Sequence, residues 1–207
     1  YKLVMMSFSE IETVSKRASK AIGYSWGISE EIGKSIKLME MFGLPGLKNL
    51  NNYFKVIKKS QFQNISLITE TNTSNKIPYC PLITGINFMD QINSLEKFKK
   101  IIFHNMAYPI LFIPFASRSS EIIGKKLSLK IENQTYLLNF NQSIYLKNKI
   151  ENLKDKVELL EIEFIENKNS FDENDWQELY KLSEKTFVKE SESSKNIGAG
   201  AGLLDND

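Results

Sequence analysis

An α+β fold, with a helical layer leading into a mainly antiparallel sheet packed by further helices, follows from three patterns. Apolar residues recur at helical spacing through the first sixty positions. They alternate with polar residues from 127 to 140 and again from 157 to 165, the period of half-buried strands. Helix-start signatures then open and close the chain, near Ser7 and again near Ser170.

Ser7-Phe8-Ser9-Glu10 reads as a capping box, with Met6 and Ile11 placed as its hydrophobic staple. Ile11, Val14, Ala18 and Ala21 continue at helical spacing, and Gly23 supplies the stop. Ser29 is the expected cap of a second helix with a stripe of Ile32, Ile36, Met39 and Phe42, ended by Gly43-Leu44-Pro45-Gly46. A third, Leu47 to Lys58, puts Leu47, Leu50, Phe54 and Ile57 on one face. None is apolar all round, so together they form a layer resting on something else.

Ile65 to Thr69 reads as a short strand and Thr71 to Lys76 as a polar turn. A helix then opens at Cys80 or Thr84, burying Ile86, Met89, Ile92 and Leu95. Lys100 to His104 and Ile110 to Ile113 read as buried strands broken by Pro109. Pro114 suits the first residue of a helix closed by Gly124. A hairpin follows, with Leu127, Leu129 and Ile131 going out and Tyr136, Leu138 and Phe140 returning across a turn at Glu132 to Gln134. Val157 to Ile165 is a strand with Leu160, Ile162 and Phe164 inward and Glu161 and Glu163 outward. Ser170-Phe171-Asp172-Glu173 reads as a second capping box, starting a helix expected to bury Trp176, Leu179, Tyr180 and Phe187. The expected organisation is a helical layer at 1–60, an α+β body at 61–190, and a polar linker with a Gly-rich tail at 191–207, compact as one domain.

Composition narrows the function classes. With 42% hydrophobic and 25% charged residues, the chain reads as an ordinary soluble globule. Its longest apolar run, Tyr108 to Ala116, holds two prolines and is far shorter than the ~20 residues of a membrane span. Positions 1–6 are too short for a secretory signal, and Met6 would make a natural start, so residues 1–5 read as an upstream extension. One cysteine allows no internal disulfide and fits a cytoplasmic setting. A net charge of +2, scattered lysines and the lack of a nucleic-acid motif argue against nucleic acid as partner.

Candidate site residues are few. Cys80, between Tyr79 and Pro81, would cap a helix whose positive end lowers a thiol pKa; His104, the one histidine, is its sole candidate imidazole partner. The alternative is a packing thiol and a histidine at a strand end. Arg118 in Ser117-Arg118-Ser119-Ser120 either clamps an anion, with Ser117 and the first-turn amides, or pairs with Glu121 on an exposed surface. Only two arginines occur, Arg17 and Arg118, so an Arg where Lys is the default cation draws attention to its planar fork. Tyr24 and Trp26 in Gly23-Tyr24-Ser25-Trp26-Gly27 form either an aromatic wall for a ligand or a plug between two helices. Glu161 and Glu163 are either a carboxylate pair or a solvated sheet face. The tail, with Gly198, Gly200 and Gly202 before Asp205 and Asp207, either frays or docks. Docked, its amides would bind an anion and its aspartates a hard cation such as Mg²⁺.

The segments Met6 to Glu12, Gly23 to Lys34, Cys80-Pro81-Leu82-Ile83-Thr84-Gly85, Pro109 to Arg118 and the Gly198 to Asp207 tail together resemble a family of uncharacterised, mainly alphaproteobacterial proteins known only as a domain of unknown function. That resemblance implies a bacterial protein and brings no reaction, substrate or cofactor. From the residues alone, the expected function is a cytoplasmic enzyme or binding protein for a small anionic metabolite, its site where Cys80, Arg118 and the tail converge. The alternative is a non-catalytic interaction subunit that presents the Leu47 to Ile57 face to a protein partner or a second copy.

Overall fold

The computed structural model describes residues 6–57, 61–146 and 153–187. It bears out the α+β class, with five helices preceding or interleaved with a six-stranded mixed sheet. The chain divides into two compact units, residues 1–167 and 168–207.

In the first unit, α1 (Phe8–Ile22) starts at the expected capping box: Glu10 N–H donates to the Ser7 hydroxyl, and the Ser7 N–H donates back to the Glu10 carboxylate at 2.8 Å. Its buried face differs from the expected one. Ile11, Ser15 and Ser19 point inward, whereas Val14 is 61% exposed and Ala21 is also exposed. The reason is close helix–helix approach. On α2 (Trp26–Met41), a Cβ at Gly33 would lie 2.7 Å from the Glu12 carbonyl oxygen and 3.1 Å from the Lys16 Cβ. At that separation small residues fit the contact, and an apolar-periodicity reading passes over serines. The cap of α2 is Ser25, which accepts from the Ile28 N–H at 3.3 Å; Ser29, the expected cap, lies buried inside the helix. Ile32, Ile36 and Met39 are buried as expected, whereas Phe42, expected to continue their stripe, caps the end of α2 and is exposed. On α3 (Gly46–Ile57), the buried residues are Gly46, Leu50 and Tyr53, while Leu47 is exposed.

The Ile65 to Thr69 segment forms no strand, and the supposed turn after it holds β1 (Thr71–Thr73), parallel to β2 (Lys100–Ala107). Polar β1 is held at the edge by the Asn72 side-chain amide, which donates to the Ile102 carbonyl at 3.1 Å. Between them runs α4 (Pro81–Leu95), capped by Cys80. The expected strand at Ile110 to Ile113 is instead a 3₁₀ turn, Pro109–Phe112, leading into α5 (Ile113–Ile123). Pro109 cannot donate to a ladder, and Tyr108 turns the chain out of the sheet with φ 41°. Gly124 closes α5 in the left-handed conformation as expected.

The hairpin β3 (Lys126–Ile131) and β4 (Gln134–Leu138) pairs Leu127 with Leu138 and Leu129 with Tyr136. Phe140 lies beyond it and is exposed; a third strand, β5 (Ile144–Leu146), pairs with β4 instead. With β6 (Lys156–Ile165) inserted between β2 and β3, the strand order is β1-β2-β6-β3-β4-β5, antiparallel throughout except for β1 against β2. One sheet face is buried through Ile101, Phe103, Leu127, Leu129, Tyr136, Leu138, Leu160 and Ile162. Phe103 meets Phe112 at 5.8 Å, and Phe112 meets Phe88 of α4 at 5.4 Å, so aromatic rings carry the core from sheet to helices. The opposite face carries Glu161, ion-paired to both Lys100 and Lys130.

In the second unit, α6 (Glu173–Ser183) is capped by Asp172 in a box with Asp175, two residues later than the Ser170 expected. None of its residues is buried, which overturns the expected burial of Trp176, Leu179 and Tyr180; Phe187, just beyond, is also exposed. Among the described residues, no helix is long and apolar enough to cross a membrane.

Candidate functional site

Cys80 is placed by a short ladder of main chain. The Cys80 N–H donates to the Gln63 carbonyl at 2.9 Å, and the Gln63 N–H donates to the Pro78 carbonyl at 2.8 Å. On the other side the Tyr79 N–H donates to the Asn105 carbonyl at 2.8 Å, and the Ala107 N–H to the Tyr79 carbonyl at 3.1 Å. Residues 78–80 thus extend the sheet beyond β1. Asn105, with φ 68°, kinks β2 at that point; its short polar side chain makes the left-handed conformation accessible and donates to the Ser74 carbonyl at 2.7 Å. Pro81, fixed at the start of α4, then turns the chain so that Cys80 caps the helix.

The thiol faces two phenols. The Tyr53 hydroxyl donates to Sγ at 3.0 Å, the Tyr24 hydroxyl lies 3.9 Å away, and the Ile83 N–H points at the same sulfur at 3.5 Å. Tyr53 arrives from α3, fully buried, with its ring against Phe62 at 5.0 Å and Tyr108 at 5.4 Å. Tyr24 arrives from the turn after α1, where Gly23 takes φ 121°. Burial first, and then the neighbouring Cys80, pushes both phenols far above their ordinary value, so both remain protonated hydrogen-bond donors across the physiological range.

These residues line a pocket of about 440 Å³, with Ser25 and Asn64 as further polar groups and Ile22, Ile28, Ile57, Phe62 and Ile83 as apolar wall. Two helices begin at its edge. Ser25 caps the 16-residue α2 and Cys80 caps the 15-residue α4, and both cap residues belong to the lining. The positive ends of two helix dipoles therefore meet at one cavity, and among the described residues no carboxylate lines it.

The other sequence-derived candidates lie elsewhere. His104 sits half-buried on β2, opposite Thr73 and Leu159; it is not among the pocket residues, and Cys80 finds phenols where an imidazole was expected. Arg118 pairs with Glu31 of α2, not with Glu121, and reaches the Ser35 hydroxyl at 3.5 Å. Glu31 also pairs with Lys34 at 2.9 Å. Burial opposes the Glu31 charge, but Lys34 and Arg118 outweigh it and hold the carboxyl below its ordinary range. Ser117 is fully buried with an unpartnered hydroxyl. Tyr24 and Trp26 part company: Trp26 is 57% exposed, with the Lys20 ammonium 5.5 Å from its ring centre, and neither plugs the helix pair nor shares a wall with Tyr24. Glu161 and Glu163 are tied to lysines. Gly198, Gly200, Gly202, Asp205 and Asp207, the residues of the expected anion nest and metal ligands, lie outside the described residues. Among the described residues no group of three or more His, Cys, Asp or Glu side chains could hold a metal ion.

Tyr53, Ser25 and Asn64 escaped the sequence reading. For Tyr53 a signal existed: it follows Leu50 by three on a buried stripe, and a buried phenol needs a partner for its hydroxyl.

Residues 6–79 match a family described as protein of unknown function (DUF3726), which bears out the resemblance to an uncharacterised family. The match spans α1 to the extended segment that delivers Cys80, and so takes in most of the pocket lining. No curated protein and no solved structure matches the chain.

Proposed function

We propose that the protein is a cytoplasmic binding protein for a small anionic metabolite with an apolar body. The anionic end would sit at the mouths of α2 and α4, and the apolar portion against Ile22, Ile28, Ile57 and Phe62. The observation that carries this reading is the convergence of two helix N-termini on one cavity without an opposing carboxylate among the described residues. Volume fits as well, since small-ligand sites run from roughly 300 to 1,000 Å³. Tyr24, kept protonated by burial, supplies a donor to the ligand. Arg118 has no part in this pocket; its guanidinium ties α5 to α2.

A thermal-shift screen of small carboxylates and phosphate monoesters, followed by calorimetry, tests the reading. At a hundredfold excess over Kd a true ligand stabilises the fold by about 2.7 kcal/mol. Tyr24→Phe is expected to weaken binding about tenfold or more, the loss of one hydrogen bond to a charged group. Ile28→Glu, which sets a carboxylate beside both helix starts, is expected to abolish it while circular dichroism stays unchanged. Binding that survives both changes, or a screen in which only neutral or cationic compounds stabilise the protein, defeats the proposal.

A further inference from the structure

The segment from Phe171 to Phe187 displays six large apolar side chains. Phe171, Trp176, Leu179, Tyr180, Leu182 and Phe187 are each between 47% and 66% exposed. At 100° per residue, Trp176, Leu179 and Tyr180 form one stripe of α6, which Leu182 widens on one flank. This is the i, i+3, i+4 set of anchors that a helix lays into a groove. Phe171 stacks on Trp176 at 6.1 Å and lengthens the stripe toward the start of the helix.

The charges around the stripe identify its complement. Glu173 borders one side, Asp175 and Glu178 follow the other, and Lys181 sits on the far face of the helix. A second copy would bring like rims together, which costs affinity. A membrane surface attracts helices with Lys and Arg beside the apolar face, the reverse of this order. We propose that residues 171–187 are a docking helix for a partner protein, whose receiving groove has an apolar floor and lysines or arginines along both rims. The helix is pre-set for the task by its Asp172–Asp175 capping box and by the Gln177 amide, which donates to Glu173 at 2.8 Å. At 11 residues it is marginal in isolation, so the partner's groove would complete its ordering.

The test places a photo-crosslinking amino acid at Leu182 of the full chain, irradiates it in lysate of the source cell, and maps the crosslinked peptide. The expected result is one partner protein, with the crosslink inside an apolar groove flanked by basic side chains. With that partner purified, Trp176→Ala should weaken binding about 30-fold, as for an aromatic hot spot. Glu173→Lys with Glu178→Lys should weaken it several-fold, by a margin that shrinks in 0.5 M salt. The proposal is overturned by a crosslink within the same chain, to a second copy, or to no single protein. Equal affinity of the charge-reversed variant, or retention of the chain on vesicles of phosphatidylcholine and phosphatidylglycerol, overturns it too.

Discussion

Helices α4 and α6 begin alike and end in opposite circumstances. Each starts from a side-chain cap and carries apolar residues at helical spacing. Yet α4 buries Leu82, Ile86, Phe88, Ile92 and Leu95, and α6 buries nothing. Local signals specify that a helix forms and which stripe is apolar; they say nothing about whether the stripe has a partner. The contrast separates two uses of one pattern. In α4 the stripe builds a core and its first turn faces the pocket, whereas in α6 the stripe is exposed.

Truncation tests that contrast with the largest effect. Phe88 is fully buried against Phe112, so Phe88→Ala should destabilise by about 3–5 kcal/mol in urea unfolding. Leu179→Ala, equally apolar in sequence, should stay within about 0.5 kcal/mol of the parent. Similar losses in both would show that the α6 stripe is packed and would remove the contrast. Gly85 sharpens the α4 side of it. An added Cβ would stand 2.6 Å from Phe115 Cγ and 3.0 Å from its Cβ, so Gly85→Ala is expected to cost about 1–3 kcal/mol. Combining it with Phe115→Ala, which removes Cγ and leaves only the 3.0 Å Cβ contact, should cost less than the sum of the two single changes.

How far the sequence predicted these features depended on whether the determining interaction was local. The Ser7 capping box, the Gly124 stop, the β3–β4 hairpin and the inward phase of Leu160 and Ile162 each follow from a few neighbouring residues, and each appears as expected. The misplaced features depend on distant partners. Ser15 and Ser19 are inward because α2 comes close, β1 is a strand because β2 is beside it, and Cys80 meets Tyr24 and Tyr53 because three separate elements converge. Of the candidate site, the Cys80 cap was legible; Tyr24 drew attention too, but beside Trp26 rather than beside the thiol. The dyad with His104 was not, since choosing the one histidine as partner rests on residue type alone and no local rule places it near the thiol.

The Arg118–Glu31 pair is the next test, because it joins α5 to α2 at a partly buried position. Arg118→Ala should cost about 1–2 kcal/mol near pH 7, between an exposed ion pair and a charged buried hydrogen bond. The sign of its pH dependence follows from the lowered Glu31 carboxyl. Stability from that group is complete above the ordinary 4.5 and is lost as pH falls through the depressed folded value. The gap between parent and variant in urea midpoint should hold constant from pH 6 to 8 and close in acid. A gap that widens in acid would show that the pair does not hold the Glu31 charge.

The smallest effects return to the two caps. In α4 the acceptor for the Ile83 N–H is a thiol at 3.5 Å, a weak one, while α6 uses an aspartate that accepts from the Asp175 N–H at 3.0 Å. Cys80→Ser exchanges a poor cap for a good one but replaces a packed sulfur that accepts from Tyr53 with a smaller, more polar atom. These changes oppose each other, and the net shift should lie within about 1 kcal/mol. Asp172→Ala has no such offset and should cost about 1 kcal/mol of local helix stability. Amide hydrogen exchange reads it directly, as faster exchange over the first turn of α6 at Glu173 to Trp176. If those amides exchange no faster in the variant, the helix is held by its apolar stripe rather than its cap, and the stripe already has a partner.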